Sequence, residues 1–196
     1  MNKTTKMVIV LTVITALSGA ILSTWDGVTK PKIAYHQLQA LKAAISDVLP
    51  PYDNYVEKDI NGNKVYIGKT DDKIQPVVGI AFKVEGSGFQ GNISIMVGVD
   101  PSFTSITGIK VLEQIETPGL GTKIIEDPSN KDKPFWFPEQ FVGVTLSPQV
   151  DVVKNSIPQN SNEVQAISGA TITSKAVVRI INDNIQQIKD LYQSVN

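Results

Sequence analysis

The stretch "VQAISGATITSKAVVRI" (residues 164–180) places small and hydroxyl-bearing residues directly in front of a helical pattern. These residues are Ser168, Gly169, Ala170, Thr171, Thr173 and Ser174. From Val177 onward, apolar residues recur at the spacing of an α-helix that buries one face. The stretch therefore predicts a terminal helix that begins close to Thr171 and packs on a core.

The start of that helix has two interpretations. Hydroxyl side chains cap helices routinely, so Ser168, Thr171 or Thr173 would serve only as a cap. Alternatively, the start binds an anion, because the first amides of a helix are unpaired and carry a partial positive charge that stabilises phosphate. Gly169 and Ala170 would leave the backbone uncrowded for such a ligand. On the pattern alone, capping is the favoured interpretation.

The composition fits one folded domain and excludes several classes of function. Of the 196 residues, 41% are hydrophobic and 19% are charged, as in ordinary folded proteins. The net charge of −1 offers no basic surface, so no nucleic-acid partner is expected. The chain has no cysteine and one histidine, His36, which excludes disulfides, cysteine-ligated iron–sulfur clusters and most zinc sites. Any redox chemistry therefore requires an organic cofactor.

Residues 7–25, "MVIVLTVITALSGAILSTW", form an uncharged segment that is long enough to cross a membrane. As a helix it would span about 28 Å, close to the thickness of the bilayer hydrocarbon core. Lys3 and Lys6 in the N-terminal residues 1–6 favour a cytoplasmic N-terminus, with the domain on the extracytoplasmic face of the cell (inner) membrane. The alternative is a cleaved signal peptide with a small-residue site at 18–20. The length of the apolar run favours a single-pass anchor.

The rest of the chain predicts an α+β fold with an antiparallel sheet and packed helices. Residues 26–51 are expected to form a linker and a helix that stops at the two prolines, and residues 52–196 a single domain. A turn is predicted at Asn61-Gly62, leading into a short strand. The predicted strands are 76–86, 91–100, 105–116, 150–153 and 163–167, with a short helix over 121–127. Short connections between the first three of these strands favour antiparallel pairing.

Two glycine-rich stretches interrupt this domain. In "IETPGLGTK" (115–123), Pro118-Gly119 suits the centre of a type II turn, and Gly121 would let the backbone approach another group closely. In "EGSGFQGNI" (85–93), three glycines surround an aromatic residue. This second stretch lacks the strand–turn–helix context of a dinucleotide-binding fingerprint, so it is interpreted as a hairpin turn.

Taken together, these motifs resemble a known family. An apolar N-terminal helix is followed by "GSGFQG" (86–91), "ETPGLG" (116–121) and "SGATITS" (168–174). In this order they resemble the G subunit of the Rnf electron-transport complex and, more distantly, the C subunit of the sodium-pumping NADH:quinone oxidoreductase. Both belong to an FMN-binding domain family. The resemblance covers nearly the whole chain.

The resemblance implies a covalent flavoprotein. In this family a phosphoester bond joins FMN to the last threonine of the S/T-G-A-T motif, which here is Thr171. A separate flavin transferase is expected to attach the group, with FAD as donor and a magnesium ion. The family usually has an acidic residue three positions before the Ser/Thr of this motif, whereas this chain has Gln165.

The resemblance also implies which other residues contact the cofactor. The expected contacts are Ser168, Gly169, Ala170 and Thr173 at the helix start, and Glu116, Thr117, Leu120 and Gly121 near the isoalloxazine ring. Backbone groups of the second set would hydrogen-bond the polar edge of the ring, while Thr117 and Leu120 pack on it. No metal site and no catalytic side chain are expected.

The expected function is that of a membrane-anchored electron carrier. It would relay electrons through FMN within an ion-translocating ferredoxin:NAD oxidoreductase (Rnf) complex, without binding NAD or reducing ferredoxin itself. Its partners would be the other subunits of the complex, the flavin transferase and the lipid bilayer. One alternative is a non-redox anchored assembly or binding module, in which the motifs are only a cap and a turn. The other is a flavodomain that serves a different extracytoplasmic reductase.

Overall fold

A computed structural model describes residues 2–71 and 76–195. Residue 1 of the predicted N-terminal segment and residues 72–75 and 196 of the predicted domain lie outside the described residues. The chain divides into two compact units, Met1–Leu41 and Lys42–Asn196. The helices are α1 (Lys3–Val48), α2 (Trp136–Glu139) and α3 (Thr171–Val195), with a 3₁₀ helix at Gly121–Ile124. The strands are β1 (Asn54–Ile60), β2 (Asn63–Lys69), β3 (Val77–Ser87), β4 (Asn92–Val99), β5 (Ile106–Glu113), β6 (Asp151–Val153) and β7 (Glu163–Gln165).

Helix α1 contains the apolar segment 7–25 and, among the described residues, is the one helix long and apolar enough to cross a membrane. The helix predicted within residues 26–51 is present, but it is the end of α1 and not a separate element. Pro31 lies inside α1, and the helix continues past it. A proline lacks the amide N–H that would donate one hydrogen bond of the helix. Because only that bond is lost, the long helical segments before and after Pro31 can form one continuous helix.

Strands β1 to β5 form one antiparallel sheet in the order β1-β2-β3-β4-β5, which confirms the α+β class. The predicted turn at Asn61-Gly62 joins β1 to β2, and both residues have positive φ angles, 54° and 85°. Positive φ at both central residues is the type I′ geometry that matches the twist of a hairpin. The predicted pair at 150–153 and 163–167 is present as β6 and β7, which are shorter and parallel.

One face of the sheet and α3 enclose the core. Alternate residues of β3 and β4, such as Phe82 and Val97, point to this face and are buried together with α3 residues such as Val177 and Ile181. At Gly86 on β3 an added Cβ atom would lie 2.6 Å from Ile180 Cγ1. Gly86 therefore permits α3 to cross the sheet at close range, and this crossing fixes where α3 starts.

The opposite face of the sheet carries a patch of four glycines, and the last turn of α1 packs directly on it. Gly68 pairs with Gly79, and Gly98 pairs with Gly108, across strands β2 to β5. Added Cβ atoms at all four would meet the Val48 backbone or the Leu49 side chain within 3.0 Å. The Thr107 hydroxyl also donates a 2.6 Å hydrogen bond to the Val48 carbonyl oxygen. The glycines therefore let helix backbone touch sheet backbone.

Substitution of Gly98 tests this packing. In Gly98→Ala the new methyl group would overlap the Val48 carbonyl and lie 2.6 Å from Thr107 Oγ1. Because neither the helix backbone nor the strand can shift cheaply, we expect a loss of about 2 kcal/mol in the free energy of unfolding, measured by denaturant titration of the full chain. Gly27→Ala is the control, since its methyl group meets nothing within 4 Å. Equal stability of the two variants would contradict the packing.

Asp127 organises the loop that follows the 3₁₀ helix. Its carboxylate accepts hydrogen bonds from the Ser129 hydroxyl and, at 3.0 Å, from the Ser129 amide. Trp136 Nε1 donates a longer bond of 3.3 Å, and Lys123 Nζ lies 3.1 Å away in an ion pair. These donors, led by the Ser129 hydroxyl, lower the Asp127 pKa from 3.8 to about 2.

The Asp127 contacts predict a pH dependence of stability. A carboxyl whose pKa is lower in the folded state stabilises the fold above its ordinary pKa, and the stabilisation disappears as the pH falls toward the folded value. The stabilisation should therefore be lost as the pH falls from 3.8 to about 2. We expect wild type to be more stable than Asp127→Asn at neutral pH, with the difference closing across this pH range in thermal unfolding scans. A difference that is independent of pH would contradict this role of Asp127.

Candidate cofactor-binding site

Two turns with the same construction face each other at the site. In the first, the Leu120 amide donates to the Thr117 carbonyl oxygen at 3.2 Å, and Gly119 has a φ of 72°. In the second, the Ala170 amide donates to the Ile167 carbonyl oxygen at 3.0 Å, and Gly169 has a φ of 81°. An i→i+3 bond with a positive φ at the third residue is typical of type II turns, as predicted for Pro118-Gly119. An added Cβ at Gly169 would lie 3.1 Å from Leu120 Cδ2, so the turns are in close contact.

Ser174 connects the second turn to α3. Its fully buried hydroxyl accepts a 3.0 Å hydrogen bond from the Ile167 amide and donates one of 3.0 Å to the Ala170 carbonyl oxygen. The helix ladder starts with the bond from the Ser174 amide to Ala170. Within the described part of the chain, the amides of Thr171, Ile172 and Thr173 have no hydrogen-bond acceptor. Three donors at the positive end of α3 are thus available to a ligand.

None of the three hydroxyl groups suggested as caps performs that role in the described structure. Ser168 is exposed, and the half-buried Thr171 makes no side-chain hydrogen bond to any described residue. The Thr173 hydroxyl donates away from the helix start, at 2.6 Å to Glu116 Oε2. Residue 170, which immediately precedes α3, is alanine and has no polar side chain to cap with. The helix start therefore has the free amides and the free hydroxyl that the anion-binding interpretation requires.

The carboxylate of Glu116 joins the three motif segments. Oε2 accepts the hydrogen bond from Thr173 at the start of α3, and Oε1 accepts 2.9 Å bonds from the amides of Phe89 and Gln90 in the β3–β4 hairpin. Glu116 itself stands at the head of the "ETPGLG" turn and is only 4% exposed. One carboxylate therefore ties together segments that lie 26 or more residues apart in the chain.

Two glycines make room for this carboxylate. A Cβ atom at Gly88 would overlap Glu116 Oε1, and one at Gly121 would lie 2.7 Å from Glu116 Cβ and 3.1 Å from Thr173 Oγ1. The close approach predicted for Gly121 is thus an approach to Glu116 and Thr173. Burial raises the pKa of Glu116, but the hydrogen bonds from Thr173 and the hairpin amides outweigh it, so the pKa lies below its ordinary value. The group is therefore an anion that accepts hydrogen bonds at neutral pH.

A cavity of about 350 Å³ opens between these segments. It is lined by Phe89, Thr117, Leu120, Gly121, Lys154, Asn155, Ala166, Ile167, Ser168, Gly169, Ala170, Thr171, Ile172 and Thr173. Its volume lies in the usual range for small-molecule and cofactor sites. The free amides and hydroxyl at the start of α3 suit a phosphate, and the side chains of Phe89, Leu120 and Ile172 suit an apolar ring. The residues present therefore fit FMN.

The parallel pairing of β6 and β7 explains why residues 154 and 155 reach the cavity. Parallel strands end at the same edge of a sheet, so the residues that follow β6 lie beside the residues that follow β7. The bond from the Ala166 amide to the Val153 carbonyl oxygen, 2.9 Å long, holds the two exits together. Among the described residues that line the cavity, Lys154 alone has a cationic side chain. The Gln165 backbone is held from the other side by two hydrogen bonds to the side chain of Gln140.

The structure brings together all but one of the residues that the sequence nominated. The cavity lining includes Ser168, Gly169, Ala170, Thr171, Thr173, Thr117, Leu120 and Gly121. Glu116 is the exception, because it lies behind the lining and its carboxylate is occupied by the hairpin and Thr173. The sequence reasoning missed the lining residues Phe89, Lys154, Asn155, Ala166, Ile167 and Ile172. Phe89 belongs to the "GSGFQG" motif, whereas no local sequence pattern marks Lys154 or Asn155 as cavity residues.

Comparison with known proteins agrees with this class of site. The FMN-binding domain family matches residues 88–186, half of the chain and a range that includes the whole cavity lining. The crystal structure of NqrC from Shewanella oneidensis superposes with a TM-score of 0.52 at 24% identity, over 72% of this chain and 67% of that one. The chain thus contains an FMN-binding domain, and its fold is that of NqrC.

Two relatives identify the family more closely. The G subunit of the ion-translocating oxidoreductase complex of Methanosarcina acetivorans is 32% identical over 94% of each chain. The G subunit of the Na⁺-translocating ferredoxin:NAD⁺ oxidoreductase complex of Acetobacterium woodii is 32% identical over 95% of this chain and 92% of its own. The chain therefore belongs to the family of G subunits of ion-translocating oxidoreductase complexes. It is an FMN-binding, membrane-anchored electron-transfer subunit of a multi-subunit redox complex.

Replacement of Glu116 tests the hydrogen bonds by which its carboxylate connects the three motif segments. Glu116→Gln removes the charge that three donors share, and hydrogen bonds to a charged, buried acceptor contribute more than neutral ones. We expect the free energy of unfolding to fall by about 2 kcal/mol. Hydrogen exchange at the Phe89 and Gln90 amides should also become faster. The control is Glu113→Gln, an exposed carboxylate on β5 whose loss should cost less than about 0.5 kcal/mol. Similar losses in both variants would contradict the role of Glu116.

Proposed function

We propose that the chain carries FMN covalently on Thr171 and relays electrons through it within an ion-translocating ferredoxin:NAD⁺ oxidoreductase complex. The observation that carries this proposal is the free Thr171 hydroxyl beside the unpaired amides of α3, at the wall of a cofactor-sized cavity. A hydroxyl that is half-buried, unbonded among the described residues and next to three available amide donors suits a phosphoester. The alternative of a non-redox binding or assembly module does not explain the match to the FMN-binding family.

Attachment would be a phosphoryl transfer from FAD to Thr171. The Thr171 oxygen would form a bond to the phosphorus on the FMN side of the pyrophosphate, the bond from that phosphorus to the bridging oxygen would break, and AMP would leave. The hydroxyl proton passes to a base of the flavin transferase or to water. No electrons are transferred in this step. Gln165, at the usual acidic position, has its backbone fixed by Gln140, so the difference concerns only its side chain.

The start of α3 would hold the phosphate once it is attached. The amides of Thr171, Ile172 and Thr173 point their positive end toward the anion, and a helix start stabilises negative charge there by roughly 0.3–1 kcal/mol or more when partly buried. Thr173 itself is kept in place by its bond to Glu116. Ser168 and Gly169 would contribute the turn that exposes these amides.

The remaining lining would hold the ring and influence its potential. Bound FMN supplies electron transfer in steps of one or two electrons, which none of the side chains in this cavity can supply. Leu120 and Ile172 would exclude water from the ring, and backbone groups of Thr117 and Gly121 would meet its polar edge. Lys154, a cation of the cavity lining, would favour the added negative charge of the reduced cofactor. Its side chain has no ion-pair partner among the described residues.

The location and the partners are part of the proposal. Residues 7–25 of α1 would cross the cell (inner) membrane once, residues 1–6 would stay cytoplasmic, and residues 52–196 would form the FMN domain on the extracytoplasmic face. The short basic N-terminus with Lys3 and Lys6 supports this orientation, although Lys30 and Lys32 follow the apolar segment. A flavin transferase would act in maturation, and neighbouring subunits would supply and remove electrons. The chain would catalyse no complete reaction alone.

The attachment is tested by the intact mass of the denatured chain. Wild type produced together with a flavin transferase should carry an added mass of about 438 Da, the mass of esterified FMN. Thr171→Val should lack it, since the valine has a similar shape but no oxygen. Thr145→Val, which removes a hydroxyl outside the cavity, is the matched control and should keep the mass. An unmodified wild type, or a modified Thr171→Val, would overturn the proposed attachment.

A further inference from the structure

The function proposed above assigns no specific contact to Phe89, the aromatic residue of the "GSGFQG" motif. Phe89 lines the cavity from the tip of the β3–β4 hairpin, and its side chain is 57% exposed. A single exposed aromatic residue is common on protein surfaces and needs no special explanation. Phe89 differs because it lies at the wall of a cofactor-sized cavity and because its backbone is held in place.

The backbone of the hairpin tip is fixed by three hydrogen bonds. The amides of Phe89 and Gln90 both donate to Glu116 Oε1 at 2.9 Å, and the Gly88 amide donates to the Gly91 carbonyl oxygen at 2.6 Å. Gly88, in the same tip, has no Cβ that would displace the buried carboxylate. The protein therefore presents the Phe89 ring at the cavity from a rigid support.

The cavity lining is divided into a polar and an apolar part. The unpaired amides and the Thr171 hydroxyl belong to the start of α3. Large and exposed apolar side chains come from three separate elements, with Phe89 on the hairpin, Leu120 on the "ETPGLG" turn and Ile172 on α3. Leu120 and Ile172 are also well exposed, at 45% and 61%. FMN has the same division, with a phosphate at one end and a flat aromatic ring at the other.

We propose that Phe89 is a cofactor-contact residue whose ring packs against the isoalloxazine of FMN. This inference rests on the proposed FMN site and adds to it the element that covers the ring. Offset or edge-on packing of two aromatic systems is favourable beyond the apolar area that it buries. The Glu116 carboxylate would then position residues at both ends of the cofactor. It accepts hydrogen bonds from the Phe89 amide beside the ring and from the Thr173 hydroxyl beside the phosphate.

The test is the fluorescence of the flavin in Phe89→Trp. An indole in contact with an excited isoalloxazine quenches it by donating an electron, whereas a phenyl ring does not. We expect Phe89→Trp to lose most of its flavin emission and to show a shortened lifetime when the flavin is excited directly. The control is Phe135→Trp, a similarly exposed phenylalanine at 44%, which lines a second cavity that shares no residue with the first. Its flavin emission should match that of wild type.

The mass of each variant separates this inference from the proposed function. Attached FMN in all three chains, with quenching only in Phe89→Trp, supports the contact. Attached FMN with equal emission from Phe89→Trp and Phe135→Trp overturns it and leaves the attachment to Thr171 standing. Absence of the FMN mass from wild type itself is a failure of the proposed function. Phe89→Leu adds a second measure, since loss of the aromatic contact should speed quenching of the flavin by dissolved iodide, and an unchanged iodide effect would count against the contact.

Discussion

The buried carboxylate of Glu116 is the interaction on which the site depends. A negative charge at 4% exposure is costly unless hydrogen bonds replace its water, and here three donors do so. The donors belong to the hairpin tip and to α3, and the acceptor belongs to the turn between them. The cavity exists because these segments are held at fixed positions around it. Gly88 and Gly121 are small because any larger residue would displace the carboxylate.

Packing on both faces of the sheet positions the segments that Glu116 connects. On one face, Gly86 lets α3 cross β3 closely, which sets the position of the helix start where Thr171 and Thr173 lie. On the other face, the patch of four glycines receives the last turn of α1. The same chain segment that passes from the apolar helix into the domain is therefore packed directly on the strands that carry the site.

Much of this architecture could be predicted from local patterns. The turns at Asn61-Gly62 and Pro118-Gly119 and the start of α3 near Thr171 each depend on a few adjacent residues, and each is confirmed. Long-range contacts could not be predicted in this way. The resemblance placed Glu116 near the isoalloxazine ring. Its hydrogen-bond partners in the hairpin and in α3 were not predicted, because no local pattern reveals them. Lys154 and Asn155 reach the cavity only because β6 and β7 pair in parallel, which depends on residues far apart in the chain.

The central claim, that the three motif segments joined by Glu116 form one FMN site, is tested most directly by a high-resolution crystal structure of the chain isolated from cells that contain the flavin transferase. The account predicts continuous electron density from Thr171 Oγ1 into the cavity, with Glu116 still bonded to Thr173 and to the Phe89 amide. Flavin density elsewhere on the domain, or a flavin in the cavity with the Glu116 contacts broken, would contradict it.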